Sequence, residues 1–507
     1  MLHVPYDRIP KKDDGLCAEG SQKPERGKHM LVIVSDLHLT DGTTARTLDA
    51  DAFRMFVERM QDMAVRASWR SDDRYRPLDG IDIVLLGDVL DLVNSAAWLS
   101  GLVRPWSGES ATAAQTSSIV ADILDHNQDS IALLESLANR GAIRIPMATN
   151  DGKPAFDVPL QPVPVRLYYM IGDADWLLYR DGDAMNAVRR KICQAMGLAN
   201  VPDAPFPHDP SESPQLARTL AKHRVYARHG DIFDPLSFRG RRDESSLADA
   251  LVIEGAMRFV QSAAEKFGGD LPLDLILALE ELTDVRPLEI MPTMLVNAIQ
   301  RSCGAKRSLQ YELRTLWDQQ IEEILDASWF RSQRWSDSID VDQLAGRFLL
   351  HRKDDAPHAD SLLANALTES EFRNRRAKYV VYGHTHRAMA TPLEASYADG
   401  FVLNQIYFNS GSWRRTYDAT TLAQPGGQLV ASDSINLLAF YQGDERHGRP
   451  YETWSSMLGS ASSTIRQIRV DGAETASPVG MIASSKSGKI DRPHFFQSGS
   501  PASRFAH

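Results

Sequence analysis

Cysteine is scarce: Cys17, Cys193 and Cys303 are the only three in 507 residues. Their spacing forms no CxxC pair, which excludes a disulfide framework and a thiolate zinc ribbon and makes a reducing compartment the natural setting. Long apolar runs are also missing. No charge-free stretch approaches the roughly 18 apolar residues of a membrane-spanning helix. The segment Met1–Arg26 mixes Lys, Asp, Pro and Gly without the apolar stretch of a secretory signal. The expectation is a cytoplasmic protein with no membrane span. Positive charge is in deficit as well, since 56 Lys and Arg against 67 Asp and Glu leave a net charge of −11. That field opposes non-specific attachment to nucleic acid or anionic lipid, so nucleic acid is not favoured as a partner, although charge can be local. What is present, 43% hydrophobic, 24% charged and 8% aromatic residues, excludes disorder, collagen and coiled coil as descriptions of the whole chain.

The organisation is read from where the pattern changes. Residues 1–28 form a polar tail. Short apolar, β-branched runs then recur at Met30–Val34, Ile81–Leu86, Val165–Ile171, Arg224–Ala227, Tyr379–Tyr382, Gln405–Phe408 and Ile435–Tyr441. Helical patterns such as Ala52–Ala67 and Ser118–Ala138 fall between them, and strands alternating with helices predict an α/β fold. From residue 245 to 367 the apolar residues take helical spacing, as at Trp317, Ile321, Ile324 and Leu325, which predicts a mostly helical insertion. The stripe that includes Trp317, Trp329, Phe330 and Trp335 is expected to be that insertion's own core. The insertion divides a core of residues 29–244 from its second part, 368–472. One last strand is expected near Ile465–Val470, and 473–507 reads as a weakly ordered tail rich in Ser, Gly and Ala.

The chemistry sits where the apolar runs end. They lead into Ser35-Asp36-Leu37-His38, Gly87-Asp88, Gly172-Asp173-Ala174-Asp175, Arg228-His229-Gly230-Asp231 and Gly383-His384-Thr385-His386. In open α/β sheets the crevice outside the strand C-termini gathers side chains from distant parts of the chain. Residues i and i+2 of an extended segment point to one side, so Asp36 with His38 and His384 with His386 are each expected to act as a two-toothed clamp. Glycines before Asp88, Asp173 and His384 let the backbone come close to a ligand. A lone Asp-x-His is usually accidental and a lone Gly-Asp usually a turn, but turn chemistry has no reason to select His at successive strand ends. Seven candidate ligands, Asp36, His38, Asp88, Asp173, His229, His384 and His386, are too many for one ion and suit a pair. An oxygen and nitrogen donor set without thiolate suits Mn²⁺ first, with Fe, Zn²⁺ or Ni²⁺ as alternatives.

In that order the five blocks resemble the calcineurin-like metallophosphoesterase superfamily, whose pattern is D-x-H, G-D, G-N-H-[DE], a lone His, and G-H-x-H. The resemblance spans about Met30 to Tyr441. It implies a two-sheet β-sandwich flanked by helices, with the helical insertion as a cap. One metal would be held by Asp36, His38, Asp88 and His386, the other by Asp88, Asp173, His229 and His384. Asn409-Ser410-Gly411-Ser412-Trp413 would form a loop near the site. The third block departs: Asp173 stands where the family has Asn, and Ala174 where it has the His that assists the leaving oxygen, with Asp175 as the acid that follows. The block Ile171–Leu178 and His229-Gly230-Asp231 also resemble the UDP-diacylglucosamine hydrolase branch, which has Arg rather than His there.

The function expected is hydrolysis of a phosphodiester or pyrophosphate-type bond by a hydroxide bridging two divalent ions. Catalytic roles fall to Asp88, Asp175 and Arg387, and the partner is a phosphate ester or nucleotide-diphosphate-type substrate. Without the His, a leaving group of low pKa is favoured, because it departs without a proton. Arg239, Arg241 and Arg242 are further cation candidates, and His223 is a candidate replacement for the missing His. The alternatives are a catalytically silent scaffold of the same fold, which Ala174 favours, and a metal-dependent nuclease.

Overall fold

Apolar runs without alternation predict strands buried on both faces, because both sides must be covered. The strands are β1 (His29–Val34), β2 (Gly80–Leu86), β3 (Val165–Met170), β4 (Val225–Ala227), β5 (Tyr379–Tyr382), β6 (Met389–Pro392), β7 (Ile406–Asn409), β8 (Arg414–Asp418), β9 (Val430–Phe440) and β10 (Tyr451–Leu458). Two short hairpins and the pair Ser396–Ala398 with Phe401–Leu403 complete the β structure of the described residues. The computed structural model describes residues 28–332, 340–351, 362–393, 396–398, 401–403, 405–418 and 430–458. All belong to one unit, Met1–Ser462. The N-terminal tail, Trp335, the strand expected near Ile465–Val470 and the C-terminal tail lie outside the described residues.

The fold is α/β with mixed sheets. In the first sheet β1 and β2 run parallel, with Leu31 opposite Asp82, and β2 runs parallel to β3. On its other edge β1 meets β9 antiparallel, and β9 also carries β8 and β10. The second sheet has the order β6-β7-β5-β4, parallel except for β6. Successive residues of a strand face opposite sides. Leu31 and Ile33, Val84 and Leu86, and Tyr168 and Met170 of the first sheet therefore share one apolar cluster with Val225, Ala227, Tyr379, Val381 and Phe408 of the second. The alternate residues, Met30, Val32, Val34, Ile83 and Leu85, pack in another cluster with the helices.

Helix α1 (Ala50–Ala67) shows how the helices attach. Asp49 caps it by accepting from the Asp51 N–H, and Phe53, Phe56, Met60 and Met63 fall on its buried face. Phe53 and Phe56 close on Trp413, with ring centroids 5.2 and 5.0 Å away. The single helix expected over Ser118–Ala138 is two, Glu109–His126 and Gln128–Asn139. Asn127 leaves helical geometry at φ −107° and ψ 24°, and its amide donates at 2.8 Å both to Ile123 O and to Thr40 O in the loop after β1. That side-chain bond to the backbone competes with helix continuation.

Among the described residues between Leu247 and Arg373 there are helices and no strand. The longest is Arg307–Asp326, whose Trp317 is buried and donates from its indole to Phe348 O at 2.8 Å. Trp329 instead stacks on Trp106, at 4.8 Å and 10°, so the aromatic stripe is shared with a loop of the first part of the chain. Among the described residues no helix is long and apolar enough to cross a membrane.

Candidate metal centre

Parallel strands deliver their C-terminal ends to one edge, and there the predicted ligands meet. Two buried groups form: Asp36, His38 and His386, and Asp88, Asp173, His229 and His384; in each, one ligand atom per residue lies within 4.8 Å of the others. The groups adjoin. Asp88 Oδ2 is 3.2 Å from His229 Nε2 and 3.5 Å from His38 Nε2. Asp36 Oδ1 is 3.2 Å from His386 Nε2 and 3.9 Å from His229 Nε2. Within the second group His384 Nδ1 and His229 Nε2 approach Asp173 Oδ1 at 2.9 and 3.3 Å.

Local backbone explains the aim. Asp36, His38, Asp88, His384 and His386 all have positive φ, between 44° and 66°. The clamps are therefore not the extended segments expected: left-handed residues at i and i+2 turn the chain sharply after each strand. Asp and His tolerate this region better than most residues, yet each such position costs on the order of 1–3 kcal/mol, and such positions gather at functional sites. The glycines also make room within the centre. A Cβ on Gly87 would lie 2.4 Å from His229 Nδ1, one on Gly172 2.3 Å from Asp88 Oδ1, and one on Gly383 2.7 Å from Asp36 Oδ2. They make room for neighbouring ligand side chains.

Outer partners orient the imidazoles. His38 Nδ1 donates to Asp91 at 2.8 Å, His229 Nδ1 to Leu86 O at 2.8 Å, and His384 Nε2 to Asp234 at 2.9 Å. Each ring thus presents its other nitrogen to the centre. Ser237 donates to Asp173 Oδ2 at 2.9 Å, and the Asn409 amide holds Gly383 O at 2.6 Å. Ser410 Oγ meets Ser35 Oγ at 2.6 Å, and Ser35 bonds Asp36. Asp91, Asp234 and Ser237 were not singled out in the sequence. A carboxylate three residues after Asp88 and another five after His229 are the only signals, and both also fit turn residues.

Electrostatics follow from burial and crowding. Burial and the Asp173 charge push Asp88 up to about 8. Burial would also raise Asp36 and Asp173, but the adjacent histidines override it: His229 and His386 hold Asp36 below the usual carboxylate range, and His384 does so for Asp173. Burial lowers His38 to about 3, helped by the Arg414 guanidinium. His229 and His384 are raised well above the usual range because nearby carboxylates outweigh burial.

No protein-family model matches the chain, and no curated protein matches it. The centre is therefore read from its own atoms. Two buried groups of Asp and His are placed to hold metal ions.

The other expected residues fall as follows. Asp175 is buried and accepts from Gly172 N, Val89 N and Tyr169 Oη at 2.6, 3.0 and 2.6 Å, so it faces the loops beside the centre. Ala174 is buried, and its N–H donates to Asp88 Oδ1 at 2.7 Å. Arg387 is exposed directly after the last clamp. Arg242 is buried, donating to Asp231 at 2.5 Å and to Gly172 O at 3.3 Å; Arg239 donates to Ser245 O at 3.0 Å, and exposed Arg241 pairs with Asp243. His223 is excluded as a replacement. It bonds His29 O at 2.8 Å at the start of β1, a strand's length of about 20 Å from the end that carries Asp36.

Proposed function

We propose that the chain is a dinuclear metal-dependent phosphohydrolase of the calcineurin-like metallophosphoesterase type, hydrolysing a phosphodiester or pyrophosphate-type bond. One observation carries the reading. Asp36 Oδ1, Asp88 Oδ2 and His229 Nε2 are buried and crowd against ligand atoms of the centre at 3.2 to 3.9 Å without completing a well-aligned hydrogen bond among the described residues, although every other polar atom of these side chains is engaged. Orphaned donors and acceptors of this kind are costly unless a ligand completes them. The donor set is oxygen and imidazole nitrogen, which fits two divalent transition ions, Mn²⁺ foremost.

Asp36, His38, His386 and Asp88 would hold one ion, and Asp88, Asp173, His229 and His384 the other, with Asp88 shared. When bound, such a pair supplies Lewis-acid polarisation of a phosphoryl group and an acidified water. The chain's own residues do the rest. Asp91, Leu86 O and Asp234 fix the imidazole orientations. Asp175 ties the Gly172–Ala174 loop to Val89 and Tyr169, which keeps the Ala174 N–H on Asp88. Arg387, exposed beside the last clamp, offers charge to the transferring group. No side chain at Ala174 can protonate a leaving oxygen, so substrates whose leaving group is itself a phosphate or nucleotide are favoured. The two sheets sharing one apolar cluster support the sandwich, with 29–244 and 368–472 as its core and the helices of 245–367 as a cap over the crevice.

With Mn²⁺ added, a nucleoside diphosphate ester should be hydrolysed faster than an alkyl phosphodiester, and the reverse order would defeat the leaving-group argument. The scaffold alternative rests on Ala174. Metal analysis after chelator-free purification separates the two, because fewer than about two bound ions per chain would favour the scaffold.

A further inference from the structure

Two loops build the second ligand group, and one buried cation joins them. The loop after β3 carries Asp173 and the Ala174 N–H that holds Asp88 Oδ1 at 2.7 Å. The loop after β4 carries His229, the Asp234 carboxylate that accepts from His384 Nε2 at 2.9 Å, and the Ser237 hydroxyl that donates to Asp173 Oδ2 at 2.9 Å. Backbone turns make this second loop continuous: the Asp234 N–H donates to Asp231 O at 2.9 Å, and the Ser237 and Phe238 N–H groups donate to Asp234 O at 3.1 and 3.0 Å. A shift at Asp231 is therefore passed on to Asp234 and Ser237.

Arg242 is that cation. Its side chain is 4% exposed and that of Asp231 1%. Nη1 donates to Asp231 Oδ2 at 2.5 Å and to Gly172 O, immediately before Asp173, at 3.3 Å. The guanidinium carbon lies 5.0 Å from the centroid of the Phe238 ring, at the far end of the second loop. One planar group thus touches the first loop once and the second loop at both ends, which a guanidinium with several donors in a fixed fork is suited to do. Arg242 is enclosed and turned to protein atoms, so Arg387, exposed after the last clamp, is the cation left to meet a transferring group. The first ligand group draws on neither loop: Asp36 and His38 follow β1, and His386 follows β5.

Resting on the dinuclear reading above, we propose that Arg242 is a positioning residue for the second ion alone, setting the separation of the loops that carry Asp173 and His229. The full-length chain, stripped with chelator, is titrated calorimetrically with Mn²⁺, and His229→Ala marks which of the two binding steps belongs to the second group. Arg242→Gln should weaken that step about 10–100-fold, as the loss of an outer partner does, and change the other step by less than about threefold. Arg242→Lys should recover part of the loss, because a point charge can pair with Asp231 but lacks the planar fork that also reaches Gly172 O. Asp231→Asn, which keeps the shape and removes the carboxylate charge, should give the same one-sided loss and carries the test if Arg242→Gln fails to fold. Weakening of both steps alike, of neither, or of the other step alone would overturn the assignment and leave the phosphoesterase reading standing. A wild-type chain that takes up no Mn²⁺ would remove that reading, and this inference with it.

Discussion

Asp88 is the residue on which the two ligand groups meet. Its Oδ1 is spent on the Ala174 N–H, and its Oδ2 lies between His38 and His229. Asp88→Asn keeps the shape and removes the charge. We expect bound metal to fall to one ion or fewer and hydrolysis to drop by more than the roughly 10–100-fold typical of outer partners. Metal analysis beside a rate assay checks this, and surviving activity would mean the centre is misassigned. Asp234→Asn, which leaves all seven ligands in place, should weaken metal binding about 10–100-fold through misorientation of His384. A competition titration that found unchanged affinity would rule out that positioning role.

At the scale of elements, the centre depends on strand ends being locked to the layers around them. Trp413 is the clearest lock: its backbone N–H donates to Asp36 O at 3.0 Å, its indole donates to Asn436 O in β9 at 2.7 Å, and its ring packs on Phe53 and Phe56 of α1. Trp413→Ala should cost about 3–5 kcal/mol of stability. Removing the α1 cap by Asp49→Ala should cost only about 1 kcal/mol, because the lost interaction is one exposed hydrogen bond. Urea titrations of both variants test the ordering, and a Trp413 variant as stable as the Asp49 variant would contradict the packing account.

For the whole molecule, crowding the ligands has a pH signature in the metal-free chain. Asp88 is raised to about 8, and His229 and His384 are raised above their ordinary values. A raised folded pKa gives stability that is full below the unfolded value and lost as pH rises through the folded one. For Asp88 that window runs from about 4 to 8, and for the two histidines it begins near 6.5. His38, lowered to about 3, acts oppositely but only below about 6.5. The thermal midpoint of chelator-treated protein should therefore fall between about pH 6.5 and 8. Added Mn²⁺ should remove the fall, because it binds the deprotonated ligands. A midpoint flat across that range without metal would show that these groups are not coupled to folding.

The sequence by itself determined the strands and the residues at their ends. Runs such as Met30–Val34 and Ile81–Leu86 can be satisfied only where both faces are covered, and an Asp or His after each is a local fact of the chain. It also determined the helical character of the described residues between Leu247 and Arg373, because a 3.6-residue apolar period needs no distant partner to be recognised. What only the tertiary structure decided is everything that depends on distance in space. Asp91 and Asp234 look like ordinary turn carboxylates until His38 and His384 lie against them. Gly87 and Gly172 look like turn glycines until His229 and Asp88 fill the space a Cβ would need. His223, indistinguishable in sequence from a catalytic histidine, is placed at the far end of β1. Local sequence sets backbone preference and apolar period; which polar atoms are buried without partners is set by contacts between residues hundreds of positions apart.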